Sequence, residues 1–357
     1  MTTTIDDLLV PRTDEPLTAV SLYAGAGGMD LGFHAAGIHP VWVNENNAHA
    51  LTTNKAMSAL VHERMNHGVE AEYTGDSIDC VDETSIPHAD IVVGGPPCQG
   101  FSVAGKQDPD DPRSHQVHRF MDVVGAVMPR AFVMENVPNL ATSPRYAGVR
   151  HALRAKADKL GYAAEFHVLN SADYGAPQAR KRVFFIGFLD GDPLFPAPPT
   201  RDVVTIRQAL DGFDDPYTRY RGSIITPTKN PIVRKNPYTG YLFNGGGKPL
   251  NLDKPSITVP ASSGNSVHVI DQEWLDDPTA TPWVDTYLKH LHAGGAPVTS
   301  IPDRLRRATP GELSRLQGFP DWMPWHGPVT AVIRQIGNAV PPLLAEAVAT
   351  SVRKRLT

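Results

Sequence analysis

The feature that most restricts this chain is the alternation, through its first half, of short apolar runs with stretches of helical spacing. The runs at 19–23, 41–44, 91–94, 131–134 and 183–188 are nearly continuous in apolar residues, as strands covered on both faces are. Between them, 29–36, 118–128 and 148–160 space their apolar residues as helices do. Strand, helix and strand repeated in this way predict an α/β fold built on a doubly wound, mostly parallel sheet. Such sheets take their ligands at the carboxyl ends of the strands.

The alternation stops at Gly191, where Pro193, Pro196, Pro198 and Pro199 break any regular element. A domain boundary is therefore expected there. Residues 1–192 form the sheet domain, and 193–303 form a smaller loop-rich module that includes Gly245, Gly246 and Gly247 in a row. Residues 304–357 regain helical spacing at 310–316 and 341–352, so this last segment is expected to return to the first domain.

With 41% hydrophobic and 20% charged residues the composition is that of a globular chain, and no stretch approaches the apolar length that spans a bilayer. The first 16 residues are polar and acidic rather than signal-like, so a cytoplasmic protein is expected. There are two cysteines, Cys80 and Cys98, in no metal-binding spacing; neither a disulfide framework nor a zinc site is expected, and no metal is called for. The net charge of -5 does not favour nucleic acid, yet charge is unevenly distributed. Residues 217–254 are basic and tyrosine-rich, with Arg234 and Lys235 adjacent, whereas 271–285 are acidic with no Lys or Arg. The basic run reads either as a solvated loop or as a surface that meets phosphates.

Chemistry-bearing residues fall at the predicted strand ends. The first strand runs into Tyr23, then a turn carrying Gly25, Gly27 and Gly28, whose missing side chains let backbone amides approach a ligand. Asp30 stands where a nicotinamide fingerprint has its third glycine, which disfavours a hydride-transfer cofactor. Glu45 follows the second strand, placed to accept from both ribose hydroxyls of a nucleoside cofactor, and Asp76 follows the third, within reach of an adenine amino group. After the fourth comes Gly94-Gly95-Pro96-Pro97-Cys98-Gln99, a rigid turn that sets a thiol at the sheet edge. Glu135 closes the fifth strand. Arg180 and Arg182, two apart before the last strand, are expected to face one side and to clamp carbonyl, carboxylate or phosphate groups.

Taken in order, these segments resemble the cytosine C5-specific DNA methyltransferase family over nearly the whole chain outside roughly 193–303. Tyr23 to Gly28 is similar to the family's cofactor loop, Pro96-Pro97-Cys98-Gln99 to its nucleophile loop, Glu135-Asn136-Val137 to its acid motif, and Gln178 to Arg182 to its arginine motif. Arg306 to Pro320 resembles the motif that supports the recognition module, and Gln335 to Pro342 the last motif.

The resemblance implies a target-recognition role for 193–303 and S-adenosyl-L-methionine as cofactor. Its binding set would be Tyr23, Gly25, Gly27, Gly28, Glu45, Asn46, Asp76, Ser77, Pro96, Asn338 and Ala339. At Asn46 the chain departs from the family, which often stacks an aromatic or apolar side chain on adenine there. Cys98, Glu135, Arg180 and Arg182 would be catalytic on a cytosine flipped out of double-stranded DNA. Gln99, Ser102, Arg113, Arg234 and Lys235 would meet the nucleic acid, with 99–113 a mobile loop closing over the base. A monomer is expected, with a cognate restriction endonuclease as a potential partner. Two other readings share these motifs: a tRNA cytosine C5 methyltransferase, and a catalytically silent DNA-binding relative.

Overall fold

The computed structural model describes residues 3–12, 14–66, 69–97, 115–191, 201–218, 225–243, 248–261 and 268–357. Its main sheet comprises β1 (Leu17–Leu22), β2 (Ile38–Asn44), β3 (Glu72–Thr74), β4 (Ile91–Gly94), β5 (Ala131–Asn136), β6 (Ala163–Asn170) and β8 (Lys181–Phe188), in the order β3-β2-β1-β4-β5-β8-β6. The two-residue strand β7 (Gln178–Ala179) lies outside it. The pairs among β1 to β5 are parallel, and β8 runs antiparallel to both β5 and β6.

Period-two alternation within apolar strands explains the layering. On β5, Phe132 and Met134 join one core with Phe120 and Val124 of α3 (Gln116–Val127) and Leu153 of α5 (Ala147–Lys159). Ala131 and Val133 face the other side, against Phe33 of α1 (Gly28–Ala35) and Leu344 and Val348 of α11 (Pro342–Leu356). Both faces are covered, so the strands read as unbroken apolar runs. The last helix therefore packs on the sheet domain. A third cluster joins Ile5 and Leu9 to Met57 and Val61 of α2 (Ala48–Met65) and to Phe319 and Met323.

Residues 201–307 hold more regular structure than their loop-like composition suggests. After α4 (Asn139–Thr142) in the sheet domain come α6 (Ile206–Leu210), β9 (Lys248–Pro249), β10 (Ser256–Ile257), β11 (His268–Asp271), α7 (Gln272–Asp276) and α8 (Trp283–His292). β11 and β9 form a small sheet with β12 (Leu305–Arg307), which lies beyond the boundary expected at 303. This sheet carries its own apolar clusters, one around Ile206, Leu250, Ile270 and Trp274 and one around Phe243, Val269 and Tyr287. Asp271, in the acidic run, is buried and paired bidentately with Arg304 at 2.7 and 3.0 Å, so part of that run is internal scaffolding.

Pairing at β7 joins the module to the sheet domain, and a buried ion pair joins β12 to the helix that follows it. β10 pairs in parallel with β7, Ser256 opposite Gln178. At the start of α9 (Pro310–Leu316) a capping box formed by Thr309 and Glu312 is locked by Arg306, whose guanidinium donates to both Glu312 oxygens at 2.8 and 2.6 Å. Among the described residues no helix is long and apolar enough to cross a membrane.

Candidate active site

Strand register alone collects the predicted chemistry on one edge. Leu22 lies beside Asn44 and Gly94, Asn44 beside Thr74, and Gly94 beside Met134. Asn136 is opposite Val183 near the start of antiparallel β8. The residues that follow or close these strands (Tyr23, Glu45, Pro96, Glu135 and Arg182) therefore line a single cavity of about 650 Å³. That volume is ample for a nucleoside-sized cofactor together with one base.

At one end, the turn after β1 is made by positive backbone φ at Tyr23 (53°), Gly25 (57°) and Gly27 (86°). At Gly27 the left-handed backbone favours glycine, and a side chain would in addition displace the Met57 methyl group. The turn presents one amide to Glu45, Gly25 N–H donating to Oε2 at 2.8 Å, and Asn47 N–H at the start of the next helix donates to Oε1 at 2.7 Å. Burial pushes the Glu45 carboxyl up from its ordinary value, and these two amide bonds oppose the shift. The Tyr23 hydroxyl donates to Gln116 Oε1 at 2.8 Å, tying the turn to α3.

Gly28, Asn46 and Ser77 line the cavity with Ile78 beside them, and Asn338 and Ala339 line it from the end of α10 (Val329–Asn338). Asp76 does not. Its side chain is exposed and lies 3.3 Å from the Thr74 hydroxyl, while its carbonyl accepts from Asn44 Nδ2 at 2.9 Å. The expected adenine contact is thus held at the rim, with Ser77 and Ile78 forming the wall. Ile78 and Arg334 are lining residues that no sequence signal marked. Trp42 is core, 3% exposed.

At the other end, Glu135 is buried and its Oε1 lies 2.9 Å from Arg182 Nε. Desolvation raises the Glu135 carboxyl above its ordinary value, against the pull of Arg182 and then Arg180. A Cβ added at Gly95 would stand 3.1 Å from Glu135 Oε2, so the stem of the thiol loop abuts the acid. Asn136 Nδ2 donates to the Pro96 carbonyl at 3.2 Å and fixes that stem. Cys98, Gln99, Ser102 and Arg113 lie outside the described residues.

The two arginines are not equivalent clamps. Arg182 faces Glu135, whereas the fully buried Arg180 donates to the Val259 carbonyl at 2.9 Å and the Gly337 carbonyl at 2.6 Å. Only Arg182 lies in the regular strand; Arg180 precedes it, and its donors are directed at backbone of two other segments. Arg234 and Lys235 are exposed on the second module.

The cavity crosses the carboxyl edge of this sheet, with a carboxylate after β2 and an acid–arginine pair at the end of β5, and the matching family model makes its owner a methyl-transferring enzyme of the S-adenosylmethionine-dependent kind. The chain belongs to the C-5 cytosine-specific DNA methylase family, whose family model matches residues 17–354. It is accordingly a DNA cytosine C5 methyltransferase that uses S-adenosylmethionine as methyl donor.

It is 32% identical to the Type II methyltransferase M1.HphI of Haemophilus parahaemolyticus over 96% of this chain and 88% of that protein. It is 30% identical to the Type II methyltransferase M.XorII of Xanthomonas oryzae pv. oryzae over 94% and 84% respectively. Among solved structures, Entamoeba histolytica methyltransferase EhMeth superposes with a TM-score of 0.69 at 15% identity, covering 96% of this chain and all of that one. A putative DNA modification methyltransferase from an Escherichia coli prophage gives 0.63 at 23% identity, covering 95% and 99%. At those identities the likeness speaks for the fold.

Proposed function

We propose that Cys98, Glu135 and Arg182 carry the chemistry on a cytosine flipped out of duplex DNA, and that Arg180 supports them without touching the base. Carbon 5 of cytosine is a weak nucleophile. The Cys98 thiolate adds to carbon 6, forming a sulfur–carbon bond and moving the ring's π electrons toward carbon 5 and nitrogen 3. Glu135 delivers a proton to nitrogen 3 and so stabilises the electron-rich adduct. Its raised affinity for that proton suits the task. Arg182 keeps the Glu135 side chain in one orientation and presents its remaining donors to the base carbonyl. S-Adenosylmethionine, when bound, supplies the electrophilic methyl group to carbon 5. Nitrogen 3 returns its proton to Glu135, and loss of the carbon 5 proton to a base expels the Cys98 thiolate and restores the ring.

The cofactor would be held by Glu45 through its ribose hydroxyls, by the backbone of Tyr23, Gly25, Gly27 and Gly28, by Asn338 and Ala339 on the facing wall, and by Pro96 beside the thiol loop. Asn46, Ser77 and Asp76 would border its adenine end. The donor set fits this group: a carboxylate already accepting amide hydrogens at a glycine turn retains lone pairs for two hydroxyls. Gln99, Ser102, Arg113, Arg234 and Lys235 would contact DNA. The names of the Type II relatives support a cognate restriction endonuclease as companion, one chain carrying every catalytic part supports a monomer, and a DNA substrate fits a cytoplasmic location.

The observation that carries this assignment is the Glu135–Arg182 pair set against the stem of the Cys98 loop. The protein and its Cys98→Ala variant are to be expressed in a host without cytosine methylation, and 5-methylcytosine mapped at single-base resolution. Methylation of one short sequence by the intact protein alone is expected. Methylation persisting in Cys98→Ala would remove the thiol from the mechanism.

A further inference from the structure

Two motif residues, Gln178 and Gln317, have no part in the chemistry above and no solvent exposure. They form a chain of hydrogen bonds between segments far apart in sequence. Val259 N–H, in the recognition module just after β10, donates to Gln178 Oε1 at 3.3 Å. Gln178 Nε2 donates to Gln317 Oε1 at 2.7 Å, and Gln317 Nε2 donates to the Ala339 carbonyl at 2.7 Å. Because a side-chain amide has a donor end and an acceptor end, each glutamine has one orientation that satisfies both neighbours. The relay is polarised from the recognition segment to the cavity wall.

A second tie runs beside it. Arg180 bridges the Val259 carbonyl to the Gly337 carbonyl, one residue before Asn338. A Cβ at Gly337 would collide with the backbone of Pro260 and Ala261, so α10 and the recognition segment are in direct backbone contact with no space between them. Segment 259–261 cannot shift without moving 337–339 or breaking buried hydrogen bonds. Its other end is equally fixed, since β10 pairs with β7 immediately before Arg180.

We propose that Gln178, Gln317 and Arg180 are positioning residues that couple DNA engagement by the recognition module to the shape of the cofactor wall at Asn338 and Ala339. Each ligand thereby tightens the other, by the reciprocity of linked equilibria. The coupling rests on the reading of this cavity as the cofactor site. DNA that settles the recognition segment fixes Val259, and the relay transmits that placement to the carbonyl of Ala339.

The test is the dissociation constant of S-adenosylhomocysteine, measured by calorimetry with and without a duplex carrying the sequence methylated in vivo. In the intact protein the duplex should tighten binding about fivefold or more, the lower range of measured couplings. In Gln178→Leu/Gln317→Leu, which removes both partners of the central bond with little change of shape, the ratio should fall to near one with both binary affinities still measurable. Arg180→Lys should lower it part of the way. Gln317→Asn, one methylene short of Ala339, gives the same reading if the double variant does not fold. An unchanged ratio in these variants, or a ratio of one in the intact protein, overturns the coupling. Failure of the intact protein to bind S-adenosylhomocysteine at all refutes the cofactor-site reading instead.

Discussion

Arg182 Nε stands 2.9 Å from Glu135 Oε1, with the two side chains only 14% and 11% exposed. The pair bridges β5 and antiparallel β8, so the acid at one strand end is oriented by a cation at the start of its neighbour. Burial and the guanidinium act on the Glu135 proton in opposite directions, and burial wins.

Glu135 should therefore contribute a basic limb to the pH profile of kcat, because its protonated fraction falls as pH rises through its raised value. Its effect on fold stability has the same sign: present below the ordinary carboxyl range and lost as pH rises through the folded value. Glu135→Gln should lower kcat by about 10²–10⁴-fold with a smaller change in KM for DNA. Steady-state kinetics from pH 5 to 9 check this, and a basic limb that survives in the variant belongs to another group.

Arg180→Ala and Arg182→Ala should separate stability from chemistry. Losing Arg180 strands two buried carbonyls and should cost about 3 kcal/mol in urea unfolding. Losing Arg182 should affect unfolding less and kcat more. The opposite ranking would return the base-clamping role to Arg180.

Glu45→Gln keeps the side-chain shape but replaces one acceptor oxygen with a donor facing a backbone amide. Cofactor affinity should weaken about 10- to 100-fold, the scale of one or two hydrogen bonds to a charged group. Binding by the intact protein should also weaken as pH falls through the raised Glu45 value, when the carboxylate gains a proton, and this dependence should vanish in the variant. Calorimetry with S-adenosylhomocysteine at two pH values reads both effects.

Arg234→Ala/Lys235→Ala, at exposed positions of the second module, should weaken DNA binding at low salt. The slope of log K against log salt should flatten by about one for each phosphate that the variant no longer neutralises. A slope equal to that of the intact protein would make these side chains solvated surface.

The sequence by itself determined the sheet and the ends of its strands, because a strand covered on both faces must be continuously apolar and its chemistry can lie only at its termini. That is why Glu45, Glu135 and Arg182 could be named from their strand ends and are found around one cavity, together with Tyr23 and Pro96, which the family resemblance implied. Helix α2 was illegible for the converse reason: its buried stripe of Ala50, Thr53, Asn54, Met57, Val61 and Met65 includes two polar residues, one of which, Asn54, donates to the buried Asp30. The small sheet of β9, β11 and β12 has strands of two to four residues, too short to leave a period.

Tertiary structure alone decided which way β8 runs, since an apolar run has no direction, and thus which of two near-identical arginines meets the acid. It also decided the fate of Gln178 and Gln317, which are 139 residues apart and polar, with nothing local to say that both are buried. A hydrogen bond between distant side chains leaves no periodic trace in the chain. Only the approach of the end of α9 to β7 brings its two halves together.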